Sequence, residues 1–172
     1  MAHCEDYIDA LINKDDEAFT LIYEETKKAV FALIVAIVAN RAIAEDLMQD
    51  TYMTMIEKIH QYQRGRSFLA WLLVIARNKA IDYLRENKKV IYLDQEEIEY
   101  VGQEVLPIGE KSAMVNDMLS LLTNLERQIF LLHISNNVTF KEIAVIINLS
   151  LGTVLWHYSK AVKKIKQYKE EK

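Results

Sequence analysis

Between Glu45 and Asp50 the chain sets three carboxylates, Glu45, Asp46 and Asp50, beside the amide of Gln49. Further along come Arg77, Asn78, Lys79 and Arg85 within a mostly apolar run, WLLVIARNKAIDYLR. On a helix, Glu45 with Gln49 and Asp46 with Asp50 share a face turned away from Leu47 and Tyr52. Like charges at that spacing cost about 0.2–0.5 kcal/mol. The face is therefore either a solvated acidic surface or a docking face for a basic partner. Acid–base catalysis by paired carboxylates is not expected, because no pocket-forming or metal-binding side chains cluster with them.

Just before the basic run lies QYQRGRSF, with Tyr62, Arg64, Arg66 and Phe68 around Gly65. Aromatic rings interleaved with arginines at a flexible glycine suit unstacked bases and phosphates. A helix–helix loop with ordinary surface charge is the plain alternative. Trp71, Leu72, Ile75 and Leu84 are expected in the core, with Arg77, Asn78, Lys79 and Arg85 reaching outward.

Charge is segregated along the 172 residues. The net charge of −4 hides blocks of −8 over 1–57, +6 over 58–89, −6 over 90–150 and +4 over 151–172. Phosphate attraction is local, screened within about 10 Å, so the two basic blocks are compatible with nucleic acid despite the acidic sum. The lone Cys4 cannot form an internal disulfide, and the longest apolar run, Ala29–Ala39, is too short to span a bilayer. No charged, apolar leader opens the chain. A cytoplasmic location without membrane insertion is expected.

Only four glycines and one proline punctuate the sequence. Between them apolar residues recur at helical spacing: Phe19, Ile22 and Tyr23; Leu47, Tyr52, Met55 and Ile59; Met114, Met118, Leu121 and Leu125. VIYL at 90–93 could form a short extended piece. The expected fold is all-α, in two small helical domains, 1–89 and 111–172. They are joined by an acidic linker, 90–110, which holds six acids and no base.

The C-terminal domain carries a helix-turn-helix pattern. Thr139 and Glu142 form a capping box. Phe140, Ile143, Ala144 and Ile147 make one apolar face. Asn148 stands where a left-handed turn residue is wanted. Ser150 caps a second helix that buries Val154 and runs through Ala161 to Ile165. The N-terminal residues of such a helix face base edges in the major groove, and its lysines reach phosphates. A helical hairpin with a solvated basic tail is the alternative. His3, His60, His133 and His157 lack metal-ligand spacing, and no phosphate-binding glycine loop or nucleophile elbow is present. Neither catalytic residues nor a metal or cofactor site is expected, so the chain is not read as an enzyme.

In order, AEDLMQDTY, WLLVIARNKAIDYLR, the acidic linker and the helix-turn-helix with GTV resemble a bacterial RNA polymerase sigma factor of the extracytoplasmic-function (ECF) group. The resemblance spans about residues 15–168. It implies that Glu45, Asp46, Gln49 and Asp50 face core RNA polymerase. It also implies that Tyr62, Arg64, Arg66, Phe68, Arg77, Asn78, Lys79 and Arg85 contact the promoter −10 element. Ser150, Gly152, Thr153, Leu155, Trp156, His157, Lys160, Lys163 and Lys164 would contact the −35 element. The implied partners are core polymerase, promoter DNA and a separate anti-sigma factor. After GTV this chain has Leu155, Trp156, His157 and Tyr158 where the family often has basic or small polar residues. Two other readings compete: a helix-turn-helix regulator acting without polymerase docking, and a decoy that binds polymerase but no promoter.

Overall fold

In the computed structural model, which describes residues 7–87, 90–93, 97–100 and 113–170, helices start where short polar side chains can cap them. α1 (Ile8–Ile12) is a short leader. Asp15 accepts Ala18 N–H at 2.8 Å to open α2 (Asp16–Val38). Asn40 accepts Ile43 N–H at 3.1 Å to open α3 (Arg41–Lys58). Ser67 accepts Ala70 N–H at 3.2 Å to open α4 (Phe68–Glu86). Each cap satisfies an otherwise orphaned donor and contributes about 1 kcal/mol.

Helix ends use the left-handed region. Ala39, Asn137 and Asn148 have φ of 52°, 51° and 60° after the second, sixth and seventh helices. A 3-10 turn, Ile59–Gln61, and a loop through Gly65, whose φ of 81° needs glycine, join α3 to α4.

α2 is the axis of the molecule. It packs against α1, α3 and α4, and also against α6 (Asn124–Asn136) of the C-terminal half. Val30 and the residues from Leu33 to Ile37 are consequently buried without a break. A helix covered on opposite sides loses its amphipathic stripe, which explains the long apolar run. Across this contact the Asn124 amide donates to Ile37 O at 3.4 Å.

Downstream of α4, β1 (Val90–Leu93) pairs antiparallel with β2 (Glu97–Tyr100), Val90 opposite Tyr100 and Leu93 opposite Glu97. The extended piece at 90–93 is therefore half of a hairpin. Part of the segment read as a solvated linker is ordered by strand pairing and lies against α6. The fold class remains all-α, with this hairpin added.

α5 (Ala113–Ser120) ends before a turn that exposes Leu121 and buries Leu122. The apolar spacing 114–118–121–125 thus crosses a helix break. Thr123 then opens α6 with a full capping box to Glu126. α7 (Phe140–Ile147) and α8 (Leu151–Glu170) complete the C-terminal half. α7 packs on α4 and α8 on both α6 and α7. One apolar core runs through both halves.

Candidate polymerase and promoter interfaces

The acidic face survives folding intact. Leu47, Thr51, Tyr52 and Met55 turn α3 inward, the Tyr52 hydroxyl meeting Thr26 at 2.7 Å. Glu45, Asp46, Gln49 and Asp50 are left exposed. Glu45 takes an ion pair from Arg41 at 2.9 Å, while Asp46 and Asp50 lie further along the same side. Met53 stands beside them, 60% exposed. An apolar side chain in the middle of a charged face is the kind of anchor that binding surfaces use. Its position three and four residues after Asp50 and Gln49 was the available signal.

The loop 62–67 departs from expectation. Tyr62 and Phe68 are buried, their rings 5.3 Å apart and each 5.6 Å from the Trp71 ring. The Tyr62 hydroxyl donates to the Arg66 carbonyl, so the ring closes the loop from inside. Aromatic pairs desolvated this way hold a loop's shape and are not free to stack on bases. Arg64 pairs with Asp9 of α1. Arg66 stays exposed at the loop's tip.

Along α4, Leu72, Leu73, Ala76 and Ala80 are buried, whereas Ile75 is only half-buried. Asn78 and Arg85 are exposed, and Arg77 and Lys79 half-buried. Arg85 lies 3.5 Å from Asp82. The basic polar face of α4 is thus present, with Arg77 its most enclosed member.

The helix-turn-helix forms as its local signals dictate. The Thr139 and Glu142 capping box is complete. Asn148 is left-handed, and Leu149 N–H returns to Ala144 O at 3.0 Å. Ser150 accepts Thr153 N–H at 3.1 Å, and the two hydroxyls meet at 2.8 Å. Val154 and Ala161 seat α8 in the core.

His157 is buried with them, 8% exposed, and so cannot face a base edge. Lys164 is also withdrawn. Its ammonium donates to Glu126 at 2.6 Å, and that carboxylate is fully buried. Lys160 approaches the same carboxylate at 4.0 Å and lies 4.8 Å from the Trp156 ring centre. Gly152, Leu155, Trp156 and Lys163 remain exposed, with Thr153 half-buried.

Two carboxyls sit below their ordinary value. For Glu126, burial alone would raise the pKa. The Lys164 hydrogen bond, the Thr123 backbone and the charges of Lys164 and Lys160 outweigh it. For Glu142, burial again opposes, and hydrogen bonds from the Ser67 and Thr139 side chains and the Thr139 backbone prevail. Ser67, at the cap of α4, thus acts on Glu142 at the start of α7, where the two helices pack. No group of three metal-binding side chains occurs among the described residues.

Family models agree with this layout. Sigma-70 region 2 matches residues 22–90, and sigma-70 region 4 matches residues 112–165. The chain belongs to the sigma-70 family, in the ECF group. The ECF RNA polymerase sigma factor SigM of Bacillus subtilis is 27% identical over 133 residues, covering 75% of this chain and 81% of that protein. SigK of Mycobacterium bovis is 25% identical over 162 residues, covering 86% and 85%. CnrH, solved in complex with the cytosolic domain of CnrY, has the same fold, with a TM-score of 0.68, 18% identity and 96% of each chain covered. So has RpoE of Bartonella quintana, solved with the anti-sigma factor NepR, with a TM-score of 0.66 and 20% identity over 87% of this chain and 94% of that one. As a sigma factor, this chain is a polymerase-associated subunit that directs transcription initiation at promoters. Sigma factors are initiation factors and not enzymes. No helix among the described residues is long and apolar enough to cross a membrane.

Proposed function

We propose a division of labour among three exposed faces. On α3, Glu45, Asp46, Gln49, Asp50 and Met53 dock on a basic surface of core polymerase. Arg66, Arg77, Asn78, Lys79 and Arg85 contact the −10 element as it melts, with Arg64 near the same loop. Ser150, Gly152, Thr153, Leu155, Trp156 and Lys163 on and before α8 contact the −35 element. Residues 1–89 and 111–172 act as the two DNA-reading domains, and the chain works in the cytoplasm with no active site of its own.

The observation that carries this reading is the outward placement of both charge blocks. The acids of α3 are exposed, as are Asn78 and Arg85 of α4, while Arg77 and Lys79 are half-buried at the edge of the core. Polymerase tethers two weak DNA contacts, and the linked pair gains an effective concentration that neither half has alone. Run-off transcription with purified core polymerase tests it. A promoter-dependent transcript that is lost with Asp50→Lys is expected. Tight palindromic duplex binding without polymerase would instead favour a free-standing regulator.

A protein that sequesters the chain belongs to this reading. The partners crystallised with CnrH and RpoE, the CnrY cytosolic domain and NepR, give the precedent. Co-purification of the native protein from its own cells tests it: a partner displaced by polymerase supports it, and recovery with polymerase alone counts against it.

A further inference from the structure

Down α8 the buried stripe is Val154, His157 and Ala161, spaced three and four apart. The opposite stripe, Gly152, Leu155, Trp156 and Ser159, points to solvent. Leu155 is 41% and Trp156 58% exposed. A surface helix normally gives that stripe to charged residues. Here it is apolar, and lysines border it: Lys160 and Lys163, with Lys166 below. Lys160 rests on the Trp156 ring and so steadies the indole in the exposed position.

Gly152 adds a second anomaly. A Cβ placed there would meet nothing closer than Ser150 Oγ at 3.9 Å, and its φ is not positive. Nothing inside the chain asks for glycine, yet glycine weakens a helix. Its bare backbone matters only to something outside that approaches closely.

Resting on the reading of α8 as the −35 helix, we infer that Leu155 and Trp156 read thymine, through its C5-methyl group in the major groove. Leu155 has no hydrogen-bonding atom to offer a base edge. The major groove presents one apolar group, the thymine methyl. The lysines that follow the stripe, Lys160, Lys163 and Lys166, match the phosphates of a strand beside the groove, which selects DNA over an apolar protein surface as the occupant. Gly152, one turn before Trp156, lets the helix sit close enough for these short-range contacts. Bidentate readout of guanine needs Arg or Lys at base-facing positions, and this stripe has neither before Lys160. The preferred −35 element is therefore defined by A·T pairs, with thymine on either strand.

The test uses the reconstituted holoenzyme. Promoters with a randomised −35 segment are selected by transcription, and thymines in the selected element are then replaced by deoxyuracil. That change removes the methyl and keeps the base pair. Transcription by the native chain is expected to fall roughly three- to ten-fold per critical methyl, as removal of one buried methyl implies. Leu155→Ala and Trp156→Ala, both at exposed positions, should lower activity and be indifferent to the replacement. Selected elements without thymine overturn the inference, as does equal sensitivity of native and variant chains, and the sigma function stands in both cases. The same holds if the variants transcribe normally and lose only a protein partner. No promoter-dependent transcript from any library would overturn the function and this inference together.

Discussion

Lys164 Nζ lies 2.6 Å from the Glu126 carboxylate, which has no exposed surface. The bond joins α8 to the capping box that starts α6, so α8 is fixed to its support by a charge and not only by packing. Its neighbour Lys163 points to solvent. The pair of adjacent lysines therefore separates a structural role from the proposed DNA contact. Lys164→Met leaves a buried carboxylate with the Thr123 N–H but no cation nearer than Lys160, and is expected to cost about 2–4 kcal/mol in urea unfolding. Lys163→Met should stay within about 0.5 kcal/mol and weaken promoter binding instead. Equal losses of stability for the two would contradict the assignment.

Glu126 and Glu142 make stability fall in acid. Each carboxyl binds its proton more weakly folded than unfolded. Unfolding therefore takes up protons below the ordinary glutamate value of 4.5. Their contribution is complete above that value and is lost as pH falls through the lower, folded values. Urea midpoints measured between neutral pH and about pH 3 should drop in that window. Glu142→Gln should flatten the drop, while losing part of the stability present at neutral pH. A profile unchanged by that substitution would show that Glu142 does not contribute.

What could be read from the chain divides by range. Thr139 with Glu142, Asn148 and Ser150 act through bonds three to five residues long, so their types and spacing were sufficient. Lys164 and His157 were misplaced, being expected at the −35 element: Val154, His157, Ala161 and Lys164 continue one three–four–three stripe, a signal for the core side that went unused. Tyr62 and Phe68 were not, because a loop has no period to show which way an aromatic turns. Only the fold reveals that Trp71 and the Arg66 carbonyl receive them. The unbroken apolar run in α2 signalled coverage on opposite sides, but not that α6 supplies the second cover. The hairpin at 90–100 was half visible: VIYL has strand character, whereas EIEY looked like solvated acid.

Ala39 ends α2 with a left-handed φ of 52°, its N–H returning to Val35 O at 2.9 Å. A Cβ in that region costs about 1–2 kcal/mol. Ala39→Gly removes the cost, at the expense of a more flexible unfolded chain. A net gain of about 0.5–1 kcal/mol is expected, seen as a rise of roughly 2–4 °C in Tm. Ala39→Val should lower Tm, since a branched side chain fits that conformation worse. A fall in Tm for the glycine variant would refute the strain argument.

Met53 tests whether the acidic face is a docking surface. Exposed as it is, Met53→Ala should leave unfolding unchanged within about 0.5 kcal/mol. If the residue is buried at the polymerase contact, truncation costs about 1–2 kcal/mol of binding, or roughly 5- to 30-fold in Kd. Asp50→Lys should weaken binding further, most strongly at low salt, because it opposes a basic partner. Titration of core polymerase with the labelled chain reads both. Unaltered affinity in the two variants would remove α3 from the interface.

The loop before α4 gives the sharpest contrast. Tyr62 and Phe68 build it from inside, so Phe68→Ala should destabilise the chain by about 3–5 kcal/mol. Its effect on transcription would follow from that loss. Arg66 and Asn78 are exposed and stabilise little, so Arg66→Ala and Asn78→Ala should melt like the native chain. Their defect should appear only at the promoter, as fewer unpaired thymines reactive to permanganate around the −10 element at equal polymerase occupancy. If Arg66→Ala opens promoters normally while a mild Phe68→Leu change, stable and folded, abolishes opening, then the aromatic ring itself leaves the core to meet the base.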